Sequence, residues 1–380
     1  MQMNHPHSRL RTAATLLAAA AFGLLCAATP AAARDVNSLP TEWSGYNSQF
    51  LYTDSQGHDL IAAQQGVVKP LGFWTTANII DMTIQVYNWA QVNDTSLAPS
   101  VKAEITSLCE GFRDRYGDNW TSNSYDDDVL WAVIAFTEAY TATGNTQYLT
   151  DAQNGFDLVY SRGYDTTLGG GIWWNSACEN SCSGASKVSA SNWTFAIAGH
   201  MLHAINGNAN DQSRAGTVYN WAISHLYNSS NGQIYDGVTG SGTHTNQYTY
   251  NYGVALGAMS MDSASNTQIG QVADYLFHSL PNYAGVTSNG SNLLPNYGQG
   301  GTDGGGFNGI AFKWVGFCNG RGQIPAADMT MARANADRAF SYRNSHNVTW
   351  NNWATVTPSS PEYGWDASDA IFALADIPLT

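Results

Sequence analysis

Basic residues are scarce in this chain. Lys and Arg together number 15 against 29 Asp and Glu, so the formal net charge is −14 at pH 7. A polyanionic partner needs a cationic surface, and this balance therefore excludes nucleic acid and anionic membranes as expected partners. Charged residues make up 12% of the chain and hydrophobic residues 43%. This composition is typical of a folded protein with a sizeable core.

The motifs of several common chemistries are also missing. The sequence has no Gly-x-Ser-x-Gly nucleophile elbow, no phosphate-binding loop and no dinucleotide fingerprint. His200 and His203 stand three residues apart on an apolar predicted helix, but no acidic ligand has the spacing that a zinc site needs. We expect these histidines to be packed, and we expect neither a metal nor a cofactor.

The first 33 residues have the features of a secretory signal. A positively charged start with Arg9 and Arg11 precedes an apolar stretch over residues 12–28 and the small-residue cleavage site Ala31-Ala-Ala33. A membrane anchor is the alternative, but the apolar stretch is short for one. We therefore predict a signal peptide over residues 1–33 and secretion of the mature chain to the extracellular space.

Four cysteines remain once Cys26 is removed with the predicted signal. An even number in a secreted chain suggests disulfides. Of the three possible connectivities we favour Cys178–Cys182, which closes a short turn, together with Cys109–Cys318, which joins distant segments. Free buried cysteines in a large core are the alternative for the second pair.

Most of the chain is a succession of apolar segments of helical length separated by turns, with few period-two runs, which favours an all-α fold. The segment from Asp127 to Tyr140 is apolar on every side and predicts a helix that is buried all round. A one-sided helix follows it. Turns at Gly144, Gly207 and Asn266 are 63 and 59 residues apart. Such a repeat of enclosed and outer helices predicts an (α/α) barrel, in one domain over residues 34–380.

Aromatic residues and glycines concentrate in two loops between the predicted helices. One loop ends in Gly169-Gly-Gly-Ile-Trp-Trp174, and the other spans residues 300–307. Flat aromatic faces pack on the apolar faces of sugar rings, so such loops fit a carbohydrate ligand, and simple filling of a large core is the other explanation. The three glycines would let the loop approach a ligand closely, which makes Trp173 or Trp174 a candidate sugar platform.

Three consecutive carboxylates, Asp126, Asp127 and Asp128, stand directly before the enclosed apolar helix. The free N–H groups and the dipole at a helix start stabilise carboxylates, but one Asp, or Ser124, is enough for a cap. Two further carboxylates held close repel each other, so one would be ionised and the other protonated near neutral pH. Such a pair can hydrolyse a glycosidic bond.

Three motifs follow one another in the chain: Asp127-Asp-Val-Leu-Trp131, Ala139-Tyr-Thr-Ala-Thr-Gly144 and the Gly169–Trp174 loop. In order and spacing they resemble the Asp-Asp-x-x-Trp helix, Ala-Tyr-x-x-Thr-Gly turn and Gly-Gly-Gly-x-Trp-Trp loop of glycoside hydrolase family 76, the endo-α-1,6-mannanases. The similarity continues in later segments: residues 187–192, Asp236-Gly237, residues 249–253, where Tyr252 replaces the family's usual Gln, and Phe312-Lys313. It covers most of the predicted mature chain.

The resemblance implies an (α/α)6 barrel and a retaining mechanism, in which Asp127 matches the nucleophile and Asp128 the general acid/base. Trp131 sets this register, because the family places Trp three residues after the second Asp. Asp236 matches an acidic residue that contacts the sugar at the cleavage point, and a plain Asp-Gly turn is its alternative. The other predicted substrate-binding residues are Tyr125, Trp173, Trp174, Lys187, Asn192, Tyr250, Asn251 and Lys313. For the two lysines, a solvated surface position is the alternative.

Together these inferences predict a secreted, monomeric, retaining endo-α-1,6-mannosidase that hydrolyses α-1,6-mannan backbones without metal or cofactor. Its partner would be an α-1,6-mannan polysaccharide or oligosaccharide. Two rival functions share the same features: a mannan transglycosylase that uses the same covalent intermediate, and a non-catalytic mannan-binding protein on the same barrel. The intact Asp pair argues against the second rival.

Overall fold

The structure is a computed structural model that describes residues 33–179, 182, 184–262, 264–280 and 293–380. The predicted signal peptide lies outside the described residues except for Ala33, so the signal and secretion stay predictions. Among the described residues, no helix has the length and hydropathy of a membrane span. The part from Ala33 onward groups into one compact unit.

Helices dominate this unit. The described ranges contain α1 (Ser38–Phe50), α2 (Phe73–Asn93), α3 (Ala98–Tyr116), α4 (Asp126–Thr143), α5 (Thr146–Gly163), α6 (Ser189–Asn206), α7 (Ala209–His225), α8 (Thr249–Met261), α9 (Asn266–Asp274), α10 (Phe307–Gly320), α11 (Ala326–Ser341) and α12 (Gly364–Asp376). A π-helical turn, Tyr275–Ser279, continues α9, and short 3₁₀ turns span Thr167–Gly169 and Asp303–Gly306.

Every second helix belongs to a closed inner ring. Helices α2, α4, α6, α8, α10 and α12 each pack against the next, and α12 returns to α2. The outer helices α3, α5, α7 and α9 pack on the inner helix that precedes each of them, while α1 and α11 pack on α12. This arrangement is the (α/α)6 barrel expected from the sequence.

The pattern of apolar residues explains which helices are enclosed. Helix α4 confirms the predicted fully buried helix, because every residue from Val129 to Phe136 is buried. Gly144, with φ 80°, ends this helix in the left-handed region that glycine adopts without strain. The Asn145 side chain then accepts a hydrogen bond from the Gln147 N–H and so begins α5, which buries only one face. The tight turn places α5 outside α4.

The described residues of this unit include eight short strands, all in its loops. They are β1 (Leu51–Thr53), β2 (Asp59–Gln64), β3 (Val67–Pro70), β4 (Ser186–Val188), β5 (Tyr227–Asn228), β6 (Gln233–Ile234), β7 (Gly237–Thr239) and β8 (Gly242–His244). They form the antiparallel sheets β1-β2-β3, β4-β7-β8 and β5-β6. Most have two or three residues, which is too short for a period-two pattern, so the sequence did not predict them.

The two predicted disulfides have different outcomes. Cys178 and Cys182 are bonded, which confirms the first. The second is wrong, because Cys109 and Cys318 are both free and buried. Cys109 lies in the outer helix α3, which packs on α2 and α4, whereas Cys318 lies in α10, which packs on α8 and α12. The two thiols therefore fill different parts of the core.

Candidate active site

A cleft of about 590 Å³ opens at the end of the ring where the inner helices begin. Its carboxylates are Asp127, Asp128, Asp236 and Asp303, and its aromatic residues are Trp74, Tyr125, Trp131, Trp174, Tyr248, Tyr250 and Phe307. No Lys or Arg is among the described residues that line it. Aromatic walls around several carboxylates suit an uncharged, ring-shaped ligand such as a sugar.

Asp127 is held at the start of α4 by two hydrogen bonds. The Trp174 indole N–H donates to the Asp127 Oδ2 at a distance of 3.0 Å. The Asp128 backbone N–H donates to the Asp127 Oδ1, also at 3.0 Å. Burial and the neighbouring Asp128 carboxyl raise the pKa of Asp127, and the two donors counteract this. Both oxygens of Asp127 thus accept an N–H group, which stabilises the charged form of this carboxyl and fixes its orientation.

Asp128 differs from its neighbour in its partners. The Asn123 side-chain amide donates to its Oδ2 over 3.0 Å, and within the described residues its Oδ1 makes no hydrogen bond. Burial raises the pKa of Asp128 to about 6. The hydrogen bond from the Asn123 amide lowers this pKa, and the nearby Asp303 carboxyl raises it further. The free Oδ1 can carry a proton, so Asp128 is suited to act as the acid of the pair.

Asp126, which with Ser124 was a candidate helix cap, does not cap α4 with its side chain. Its side chain is fully buried, points away from the cleft and pairs with Arg162, with 2.7 Å between the Arg162 Nε and the Asp126 Oδ1. Burial raises the pKa of Asp126 to about 7, but the permanently charged guanidinium opposes this shift and favours the carboxylate. Asp126 therefore fixes the start of α4 against the end of α5.

Asp236 lies in the cleft, between β6 and β7. The Asn251 side-chain amide donates to its Oδ1 over 3.0 Å, and burial raises the pKa of Asp236. Asn251 itself is fully buried and does not line the cleft. Asp236 thus lines the cleft and its sugar contact stays a prediction, whereas Asn251 lies behind Asp236 and is placed to orient it.

Of the two tryptophans in the glycine-rich loop, only Trp174 lines the cleft. Its side chain is 42% exposed, and its ring centre is 5.2 Å from that of Tyr125. Trp173 is 2% exposed and belongs to the core. Tyr125 is 40% exposed beside Trp174, and Tyr250 packs on Phe307 with ring centres 4.3 Å apart. Trp174, Tyr125 and Tyr250 thus lie together as aromatic walls of the cleft.

Lys187 is not at the cleft, contrary to our prediction. It is fully buried, and its ammonium lies within hydrogen-bond distance of five oxygens and 4.7 Å from the centre of the Trp173 ring. The oxygens are Asp165 O and Oδ1 and the carbonyls of Thr167, Gly170 and Gly171, at 2.6 to 3.3 Å. An ammonium has three N–H donors, so none is left for a sugar.

The glycines of this loop therefore serve a purpose other than the one we inferred from the sequence. Gly169, Gly170 and Gly171 all have positive φ angles, and their backbone wraps around the Lys187 ammonium rather than a ligand. A Cβ at Gly171 would lie 2.6 Å from the Trp221 ring. The loop is thus rigidly held, and it presents Trp174 at its end.

Asn192 and Lys313 are also away from the cleft. Asn192 is fully buried and clamps the backbone of Ile172, accepting from its N–H over 2.7 Å and donating to its carbonyl over 3.0 Å. Lys313 is buried between Asp81 and Glu138, at 2.6 and 2.9 Å. It lines a larger cavity of about 940 Å³ where the inner helices end, away from the carboxylate pair. Both predicted sugar contacts are corrected to supporting positions.

Sequence reasoning missed several residues that line the cleft, among them the four polar or aromatic residues Trp74, His244, Tyr248 and Asp303. Asp303 stands just before α10, and Asp366 holds the loop leading to it by accepting the N–H groups of Gly300 and Gly301 over 2.8 and 3.1 Å. Trp74 and Tyr248 stand at the starts of α2 and α8. Asp303, Trp74 and Tyr248 could have been predicted from the sequence, because residues at the start of every second helix lie at the same end of the barrel.

A family profile shows which protein family this chain belongs to. The profile described as Glycosyl hydrolase family 76 matches residues 46–373. The chain belongs to glycosyl hydrolase family 76. The matched range includes all four carboxylates of the cleft, so the family assignment covers the site as well as the barrel. No curated protein sequence matches this family 76 chain.

Solved structures share the fold. The α-1,6-mannanase GH76A from Salegentibacter sp. HEL1_6 is 21% identical, with a TM-score of 0.75 over 90% of this chain and 98% of that chain. An inactive variant of that mannanase, with two adjacent Asp replaced by Asn and α-1,6-mannotriose bound, has a TM-score of 0.76 at 21% identity over 91% and 99%. Dfg5 from Chaetomium thermophilum, in complex with glucosamine, has a TM-score of 0.67 at 14% identity over 90% and 89%.

Proposed function

We propose that this family 76 protein is a secreted, monomeric, retaining endo-α-1,6-mannosidase that hydrolyses α-1,6-mannan backbones. The observation that carries the proposal is the pair Asp127 and Asp128, two adjacent carboxyls with different hydrogen-bond partners at the start of an inner helix, in a cleft with aromatic walls. The Salegentibacter mannanase supports the substrate class, because its variant with two adjacent Asp replaced is inactive and holds α-1,6-mannotriose.

The partners of each carboxyl suggest its role. The ionised Asp127, oriented by Trp174, attacks the anomeric carbon and forms a glycosyl ester. Asp128 gives its proton to the departing glycosidic oxygen as the C–O bond breaks. In the second step Asp128 takes a proton from water, the water oxygen bonds to the anomeric carbon, and the ester bond to Asp127 breaks. Two displacements return the original anomeric configuration.

The other cleft residues complete the site. Asp236, oriented by Asn251, is placed to accept hydrogen bonds from hydroxyls of the sugar beside the carboxyl pair. Trp174 and Tyr125 form one pair of rings in the lining of the cleft, and Tyr250 and Phe307 form another. Both pairs offer faces on which sugar rings can pack. A site walled by rings around the carboxyls suits internal cleavage of a chain that occupies several positions.

A product assay on linear α-1,6-mannan tests this proposal. We expect new reducing ends from the start of the reaction, oligosaccharides of several lengths, and an α-anomer as the first product in a proton NMR time course. Dominant transfer products at high oligosaccharide concentration would instead indicate a transglycosylase. Retention on immobilised mannan without any reducing-end release would indicate a binding protein. Release of a β-anomer first would contradict the retaining mechanism.

Trp174 and Trp173 provide a second, internally matched test. Trp174→Ala removes a half-exposed ring and the N–H that orients Asp127, so we expect kcat/KM on α-1,6-manno-oligosaccharides to fall at least about ten-fold with an unchanged Tm. Trp173→Ala opens a cavity in the core, so we expect it to lower the free energy of unfolding by about 3 kcal/mol or more.

A third variant, Trp174→Phe, separates the two contributions of Trp174. It keeps a ring for the sugar but removes the hydrogen bond to Asp127. If the platform matters most, KM should stay near that of the parent protein, whereas loss of the orienting bond should appear in kcat. Unfolding of the Trp174→Ala protein, or full activity in it, would show that Trp174 is not a platform.

A further inference from the structure

Three side chains of the metal-ligand type meet on the outside of the barrel, between the end of α9 and the start of α11. Asp274 is the last residue of α9, His278 lies one turn later in the π-helical turn, and Asp328 lies in the first turn of α11. One ligand atom from each lies within 4.8 Å of the other two. This cluster is not part of the cleft, because none of its members lines it.

Asp328 is the member that points to a missing ligand. Its side chain is 2% exposed, and its Oδ2 makes no hydrogen bond among the described residues. Its other oxygen, Oδ1, lies 3.0 Å from the Nε2 of His278. A buried carboxylate oxygen without a partner is costly, and proteins rarely keep one without a bound water, proton or ion. A cation between Asp328 and its two neighbours would satisfy it.

The ligand types select the class of ion. Two ligands at about 2.1 Å from a tetrahedral ion lie about 3.4 Å apart, which is a few tenths of an ångström more than the 3.0 Å between the His278 Nε2 and the Asp328 Oδ1. Imidazole nitrogen suits zinc and other transition metals, whereas calcium and magnesium prefer oxygen ligands only. One imidazole, two carboxylates and water therefore favour Zn²⁺ over Ca²⁺.

A second cluster, which also has two Asp and one His, lacks a buried carboxylate oxygen without a partner. Asp54, His58 and Asp114 also lie within 4.8 Å of one another, in the turn between β1 and β2 and on α3. There the Asp54 Oδ1 accepts the backbone N–H groups of Gln56 and His58, and Asp114 pairs with the His58 Nδ1 at 2.5 Å. No buried oxygen of this cluster is without a partner, so turn geometry accounts for it.

We propose that Asp274, His278 and Asp328 form a binding site for one divalent transition-metal ion, with Zn²⁺ bound more tightly than Mn²⁺ or Ca²⁺. The ion would join the π-helical end of α9 to the first turn of α11 and act on stability rather than on the chemistry of the cleft. π-helical turns of this kind recur where a helix is shaped around a site.

Zn²⁺ titration of the untagged protein after chelator treatment tests the proposal. We expect calorimetry to show one Zn²⁺ per chain and a higher Tm with saturating Zn²⁺, and we expect Ca²⁺ at the same concentration to compete poorly. His278→Ala and Asp328→Asn should each weaken Zn²⁺ binding at least about ten-fold. Asp274→Asn changes an exposed residue, so it should weaken binding without any effect on folding.

His58→Ala is the matched control, because it removes the imidazole of the cluster that turn geometry explains. This variant should bind Zn²⁺ as the parent protein does. No measurable binding by the parent protein would overturn the proposal and leave His278 and Asp328 as a simple ion pair. Binding that survives all three variants, or that is lost in His58→Ala, would place the ion elsewhere and overturn it equally.

Discussion

Asp128→Ala should abolish the turnover of α-1,6-mannan, by about 10³-fold or more, and yet still react with a mannoside that carries a good leaving group. Such a leaving group departs without a proton, so the first step needs only Asp127. The glycosyl ester should then accumulate, because no base activates water. Added azide should release it as α-mannosyl azide, which mass spectrometry and NMR would identify.

Asp127→Ala is the counterpart that distinguishes the two roles. Without the nucleophile no glycosyl ester can form, so azide should give at most a product of inverted configuration. Both variants should keep the fold, because each relieves repulsion at the start of α4. Retained azide product from the Asp127 variant, but not from the Asp128 variant, would show that the roles are exchanged.

Asp126→Ala should lower the free energy of unfolding by about 3 kcal/mol or more, since it leaves the Arg162 guanidinium without its buried carboxylate. The sequence alone suggested no more than a cap worth about 1 kcal/mol. Urea unfolding of the variant and of the parent protein measures this loss of stability. Activity should fall only if α4, which carries Asp127 and Asp128, moves. An inactive but fully stable Asp126 variant, beside an active Asp128 variant, would mean that the catalytic pair is 126/127.

Asp157→Ala provides the control for this stability effect. Asp157 lies on α5 and pairs with Arg214, but its side chain is 52% exposed and that of Arg214 is 32% exposed. Ion pairs open to solvent contribute about 1 kcal/mol or less, so this variant should lose little. Equal losses in the Asp126 and Asp157 variants would show that burial of the first pair adds nothing.

The barrel could be predicted from the sequence because the features that define its helices are local in the chain. The run from Val129 to Phe136 has no polar face, and the turn at Gly144 and Asn145 ends one helix and begins the next. Those two features alternate along the chain and define an enclosed and an outer helix. The residues of the cleft that stand at helix starts, such as Asp127 and Tyr250, follow from the same alternation.

The errors concern residues whose partners are distant in the chain. Lys187 and Lys313 were expected to contact sugar, because a lysine in a family-like segment resembles a binding residue. Their carboxylate partners, Asp165 and Asp81, are 22 and 232 residues away. A pattern in the sequence shows that a charge is present, but not whether a buried counter-charge neutralises it. The pairing of Cys109 with Cys318 failed because an even number of cysteines does not show that these two thiols lie in different parts of the core.

The absence of Lys and Arg from the lining of the cleft has a consequence for the reaction itself. As the glycosidic bond breaks, the sugar passes through an oxocarbenium-like state, and positive charge spreads over C1 and the ring oxygen. The carboxylates of Asp127, Asp236 and Asp303 give this space a negative potential, and no Lys or Arg among the described lining residues cancels it. Because burial reduces screening by salt, that potential favours the charge-separated state over the neutral substrate at any ordinary ionic strength.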